Sequence, residues 1–279
     1  MIHNEPKPEG TMENVISFKD VWFRYDSRQD WTLREINLTL DEGEWLTIVG
    51  GNGSGKSTLV RLINGLLQPT LGEVAVYGKK TCDHRNLWDI RQTVGMVFPN
   101  AENQIVGLTV QEDTAFGLYN IGVSPDEAES RCRSVLQLLG LYELKDRPPY
   151  FLSGGEKQKL AIAGVLAMEP KVIIVDESTS MLDPHSARQI HEIMSELHRN
   201  GYTLIQVTHE VEEIFTADRL VVMQKGKIRF DGTPQEAAAN SCVFTDSGLL
   251  PPFSVRMRDL AKQKGLNVPA TNEFEFGEE

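Results

Sequence analysis

Apolar and polar positions alternate with a period of two through "NVISFKDVWFRY" and "REINLTL", which predicts two early antiparallel strands. "EWLTIV" predicts a buried strand entering a glycine-rich loop, followed by a helix over about residues 56–66. Strands follow at about residues 73–77 and 93–98, and a largely helical stretch then extends to about Gly164. Within it "SPDE" predicts a helix start, with Ser124 as N-cap, Pro125 in the first turn and Glu127 reaching back to complete a capping box. That helix carries Val135, Leu136 and Leu139 on one face. A strand at residues 171–175 precedes a helix opened by Asp183-Pro184 and stopped near Gly201, and "TLIQVT" and "RLVVMQ" supply further strands. Strand and helix alternation predicts an α/β fold with a mainly parallel sheet covered on both faces.

From about Pro234 the pattern changes to short helical pieces, "PQEAAAN" and "FSVRMRDLAKQKG", which read as a small C-terminal appendage over residues 234–270. Residues 271–279 read as an acidic, aperiodic tail, and residues 1–13 as a flexible leader without the basic and apolar segments of a secretory signal. Forty acidic against twenty-eight basic side chains, a formal charge of -12, argue against nucleic acid or anionic lipid as a partner held by bulk charge. The densest apolar run, "VIIV", has the size of a buried strand and not of a membrane span. Cys82, Cys132 and Cys242 form no CxxC pair; they read as small hydrophobes and suit a reducing compartment. "HEIMSELH" is no zinc helix either, because His198 falls seven residues after His191 and not four.

The chemistry begins at "GGNGSGKS". Residues Gly50, Gly51, Asn52, Gly53, Ser54, Gly55, Lys56 and Ser57, with Thr58 after them, match G-x-x-x-x-G-K-[ST] between a buried strand and a helix. Backbone N–H groups there can close on phosphate oxygens, Lys56 can place its ammonium between β- and γ-phosphates, and the Ser57 hydroxyl can bind Mg²⁺. "VIIVDE" adds Asp176 at a strand end, placed to hold Mg²⁺ through water, and Glu177 beside it, placed to activate an attacking water. Alone, these parts fit any P-loop NTPase, with guanine or adenine as the base. A second anion cradle stands in "LSGGEKQK", where Ser153, Gly154 and Gly155 open a helix and present its N-terminal N–H groups.

The phosphate loop, "LSGGEKQK", "IIVDE", "SMLDP" and "VTHE", in this order, resemble the ATP-binding cassette (ABC) ATPases over residues 14–233, with a helical signature subdomain at about residues 100–165. The resemblance implies a P-loop core with an antiparallel β-subdomain, and a sandwich in which the signature of one subunit faces the phosphate loop of another. Ser153, Gly154, Gly155 and Glu156 would then act on a partner's nucleotide, with Glu156 where glutamine is commoner. The resemblance also gives Tyr25 the adenine-stacking role, Asp183 the loop linking the two sites, and His209 the switch histidine that contacts γ-phosphate. The sequence departs from the family at Pro99: the glutamine expected there touches metal and water, and proline has neither side-chain oxygen nor N–H. Gln104 lies too far along the chain to replace it by position alone, so slowed hydrolysis is expected at this site.

"FPNAENQIVGLTVQEDTAFGLYN" and "DESTSMLDP" further resemble the energy-coupling factor (ECF) transporter ATPases, and "GLLPPFSVRMRDLAKQKG" resembles their dimerisation appendage. This implies ATP hydrolysis with Mg²⁺ at the cytoplasmic face of the cell membrane, driving uptake of vitamins or transition-metal ions. It also implies three partners: a second ABC ATPase in a heterodimer, an integral-membrane coupling subunit and a substrate-binding membrane subunit. Two alternatives stand beside it. One is an ATPase of another ABC importer; the other is a nucleotide-binding structural subunit with impaired hydrolysis, which Pro99 motivates and intact Glu177 and His209 oppose.

Overall fold

The computed structural model of the protein describes residues 14–179 and 182–264. The alternating segments near the start become β1 (Asn14–Phe23) and β2 (Leu33–Asp41), paired antiparallel, and the mostly apolar segment after them becomes β3 (Trp45–Gly50), buried at every residue. Helix α1 (Lys56–Ile63) follows the glycine loop. It ends earlier than the sequence predicts, because Asn64 caps it and Gly65 turns the chain at φ +67°. β4 (Leu71–Val76) and β5 (Lys79–Lys80) complete a four-stranded antiparallel sheet of order β2-β1-β4-β5.

Helix α2 (Leu87–Thr93) leads into β6 (Val94–Val97). The helical stretch resolves into α3 (Val110–Asn120), α4 (Pro125–Leu138) and α5 (Gly154–Ala167), which share a small apolar cluster of Ala115, Leu118, Ala128, Cys132 and Ala167. Ser124 caps α4 as the sequence predicts, accepting from the Glu127 N–H, but Glu127 does not close a capping box. Its carboxylate pairs with Arg131 one turn on, an i,i+4 arrangement that competes for it.

β7 (Val172–Asp176), α6 (Pro184–Arg199), β8 (Thr203–Thr208), β9 (Arg219–Gln224) and β10 (Lys227–Gly232) finish the second sheet, of order β10-β9-β3-β8-β7-β6. All of its pairings are parallel except β10 with β9. One of its faces shares a core with the antiparallel sheet and α1; the other packs under α5 and α6. α7 (Pro234–Ala239) and α8 (Cys242–Thr245) dock Ala237 and Phe244 against Val49, Ile214, Leu220 and Val222. α9 (Phe253–Gln263) buries only Val255. Of the three cysteines only Cys132 behaves as a buried hydrophobe, its thiol pushed up to about 11 by burial, whereas Cys82 and Cys242 are exposed. The regions read as leader and acidic tail lie outside the described residues.

Candidate functional site

Parallel strands present their carboxyl ends on one edge of the sheet, and the residues that follow β3, β7 and β8 gather there. After β3 the chain turns through Gly53 at φ +75° and Gly55 at φ +106°, conformations that glycine adopts without a Cβ penalty. A Cβ on Gly50 would lie 2.5 Å from both the Met223 carbonyl oxygen and Ser54 Oγ, so the loop closes where a larger residue cannot fit. Lys56, in the first turn of α1, is 5% exposed; its Nζ donates to the Gly50 carbonyl at 2.8 Å and lies 3.3 Å from Glu177 Oε1. The ammonium is therefore held over the loop mouth between backbone and carboxylate.

Asp176 ends β7 fully buried, and the Ser57 hydroxyl donates to its Oδ1 at 2.9 Å. Burial raises its pKa above the ordinary carboxylate range, with the Ser57 hydrogen bond acting in the opposite direction. Its Oδ2 is buried without a hydrogen-bond partner. An orphaned carboxylate oxygen beside a hydroxyl is a donor set for a hard cation. Among the described residues no cluster of three or more acidic, histidine or cysteine side chains could supply further ligands, so the rest would come from phosphate and water. Glu177 follows at φ +48°, a left-handed conformation costly for a residue with a Cβ, and its N–H donates to the Val207 carbonyl at 2.8 Å.

Tyr25 stands at the edge of this group, 55% exposed, its hydroxyl 3.0 Å from Thr58 Oγ1 and its ring in a T-shaped contact with Phe23. His209 emerges just past β8, exposed, with Nε2 3.4 Å from Glu210 Oε1.

A second group is built on the starts of α5 and α6. Ser153 and Glu156 form a reciprocal capping box: the Ser153 N–H donates to Glu156 Oε2 at 2.7 Å, and the Glu156 N–H to Ser153 Oγ at 3.3 Å. The bond from the Ser153 N–H holds the Glu156 carboxyl below its usual range. A Cβ on Gly155 would sit 2.5 Å from Ser186 Oγ, whereas one on Gly154 would meet nothing closer than Leu182 at 3.8 Å. Gly155 thus lets α5 approach α6, and Gly154 leaves the helix mouth open. Asp183 caps α6, accepting from the N–H groups of His185 and Ser186 and, at 2.6 Å, from the Ser186 hydroxyl, which lowers its pKa.

Two side chains acquire partners that sequence reading did not foresee. Gln104 folds back to β6, where its Oε1 accepts from the Phe98 N–H at 3.1 Å and its amide nitrogen faces the Met96 carbonyl at 3.4 Å. Glu213 accepts hydrogen bonds from Gln206 and Thr179 and lies in ion-pair contact with His191. A glutamate in "VEEIF" is indistinguishable from surface acids by spacing.

The fold and the loop define a P-loop nucleotide-binding cassette. The chain belongs to the ABC transporter family of ATPases, whose pattern matches residues 33–180. It is 43% identical over 263 residues to the "Energy-coupling factor transporter ATP-binding protein EcfA1" of Caldanaerobacter subterraneus subsp. tengcongensis, covering 93% of this chain and 95% of that protein. To the protein of the same name in Clostridium novyi it is 43% identical, covering 92% and 93%. Among solved structures, CbiO1 of Clostridium perfringens, described as part of the ABC transporter complex CbiONQ, superposes with a TM-score of 0.77 at 32% identity, covering 91% of this chain and 99% of that one. The dimeric bacterial cassette MJ0796 gives a TM-score of 0.72 at 30% identity, covering 78% and 98%.

Proposed function

We propose that this chain is the ATP-hydrolysing subunit of an ECF-type importer of vitamins or transition-metal ions, working at the cytoplasmic face of the membrane. One observation carries the chemistry: Lys56, Ser57, Asp176 and Glu177 converge at the carboxyl edge of the parallel sheet, joined by contacts of 2.9 and 3.3 Å. The residue 50–57 loop cradles the phosphates, Lys56 bridges the β- and γ-phosphates, and Tyr25 offers its exposed ring to adenine. Ser57 and Asp176 would hold Mg²⁺, which would supply charge neutralisation at the phosphates. Glu177 accepts the proton of the attacking water, and His209 contacts the γ-phosphate.

The second cradle serves a partner. Ser153, Gly154 and Gly155 close on the nucleotide of a second ABC ATPase, Asp183 lies on the loop between the two sites, and the partner's signature closes on this chain's ATP. A heterodimer of similar subunits fits this arrangement. Residues 14–233 form the nucleotide-binding unit. Residues 234–270 contribute to dimerisation through α9, whose Phe253, Met257 and Leu260 are exposed at i, i+4 and i+7. The region between Pro99 and Ser153 docks the coupling helices of the integral-membrane subunit, which associates in turn with a substrate-binding membrane subunit. Val106, Leu108, Phe116, Tyr119, Tyr150 and Phe151, all exposed there, support a contact made by apolar burial. Among the described residues no helix is long and apolar enough to cross a membrane.

Replacing Glu177 by Gln tests the sandwich: binding survives while water activation is lost, so ATP should trap a closed dimer and turnover should fall on the order of 100-fold or more. Crosslinking across the two cradles reads closure directly. Absence of ATP-dependent closure in this variant would remove the sandwich assignment.

A further inference from the structure

Outside the phosphate site, three segments converge on the carboxylate of Glu213. Glu213 lies in the short 3₁₀ turn Val211–Thr216, four residues after His209, and its side chain is 14% exposed. Its Oε2 accepts from the amide of Gln206, a buried residue of β8, at 2.8 Å. Its Oε1 accepts from the Thr179 hydroxyl at 3.3 Å and lies 2.6 Å from His191 Nε2 on α6. The network runs on through Gln206 Oε1, which lies 3.5 Å from the Thr47 hydroxyl of β3.

These partners come from the segments that carry the reacting groups. Thr179 stands two residues after Glu177 on the way to Asp183, Gln206 lies on the strand that delivers His209, and His191 belongs to the helix that Asp183 caps. The direct tie between the two strand exits is the bond from the Glu177 N–H to the Val207 carbonyl, and Glu177 is held there in a left-handed conformation. A strained residue keeps its geometry only where its surroundings over-determine it. We propose that Glu213 is a positioning residue for hydrolysis, clamping the exit of β7 to the exit of β8 so that Glu177 and His209 keep a fixed relation to each other and to the linking loop. The proposal rests on the hydrolytic roles given above to Glu177 and His209.

The test uses the full chain assembled with its partner ATPase, assayed well below its unfolding temperature. Glu213→Gln keeps the shape but sets an NH₂ group where one of the acceptors was, so the hydrogen bonds from Gln206 and Thr179 can no longer both be kept, and the carboxylate charge beside His191 is removed. Turnover should fall roughly five- to tenfold, with KM and the affinity for a fluorescent ATP analogue changed less than about twofold, because misplacement by a fraction of an ångström acts on the reacting groups and not on the phosphate loop. Thr179→Val should lower turnover by itself and add little on top of Glu213→Gln, the non-additivity expected of one network. A loss that followed nucleotide affinity, or full additivity, would reduce Glu213 to a structural residue. Unchanged kcat in Glu213→Gln overturns the proposal. Glu177→Gln and His209→Ala, run in parallel, separate the two claims: if they too are silent the hydrolytic reading falls, and if they abolish turnover while Glu213→Gln is silent the positioning role alone falls.

Discussion

Asp176 is asked to be two things, a residue of a packed sheet and an ion. Burial raises its pKa, so the folded chain favours the protonated form more than the unfolded chain does; that difference stabilises the fold at acid pH and is lost as pH rises through the raised value. Asparagine stays neutral at every pH. With nucleotide and divalent cation removed, Asp176→Asn should therefore melt above the native chain at neutral pH, and the two melting curves should converge as pH falls toward about 4, the ordinary carboxylate range. The same substitution should abolish ATP turnover, since the orphaned oxygen is lost as a metal ligand. Calorimetry across pH checks the first statement; coincident melting temperatures at neutral pH would show that the sheet tolerates the ion without cost. This site was legible in the sequence because each residue sits at a fixed offset from a glycine or from a fully apolar run. Glu213 was not, because its partners Thr179, His191 and Gln206 come from three different segments and meet only after the sheet has ordered them.

At the scale of elements, strands buried on both faces announce themselves: β3 is apolar but for Thr47 and Gly50, and β7 is an unbroken apolar run up to Asp176. Shorter or half-exposed pieces do not. α2 has seven residues and buries only Ile90, β5 has two exposed lysines, and β10 is a polar edge whose Ile228 and Phe230 are only half covered. The connection after β6 was legible in composition but not in contacts. There Gln104 closes the end of the strand, and Glu102 pairs with Lys157 of α5, tying the turn to the signature helix. With its amide committed to backbone, Gln104 is held in a strand-end role, and Pro99 contributes no polar group of its own. Pro99→Gln should therefore raise turnover of the assembled complex on the order of tenfold, with nucleotide affinity nearly unchanged, one orienting contact having been restored. Steady-state hydrolysis beside equilibrium ATP binding decides it. Unchanged or lower turnover would mean that Glu177, His209 and the partner's linking loop already hold the water.

For the whole molecule the question is how an acidic subunit with a charge of -12 finds a similar partner before ATP closes the sandwich. The C-terminal region divides into two parts with different commitments. α7 and α8 belong to the cassette, since Ala237 and Phe244 complete the cluster on Val49, Leu220 and Val222. α9 leaves Phe253, Met257 and Leu260 exposed in one stripe and is anchored at its start by the bond from the Phe253 N–H to Glu212 Oε1 at 2.7 Å. A stripe of this kind adds little to the monomer's own stability, whereas burying two such side chains against a partner contributes about 1.5–3 kcal/mol each. Charging it should thus separate association from folding. Met257→Glu with Leu260→Glu should weaken nucleotide-free association with the partner ATPase at least about 100-fold, while the unfolding temperature stays within a degree or two. ATP-driven closure of Glu177→Gln should persist in this background at high protein concentration, because the phosphate cradles do not use α9. Analytical ultracentrifugation with and without ATP reads both. Undiminished association of the charged variant would remove α9 from the dimer interface, and a large fall in unfolding temperature would make the stripe part of the monomer's own core.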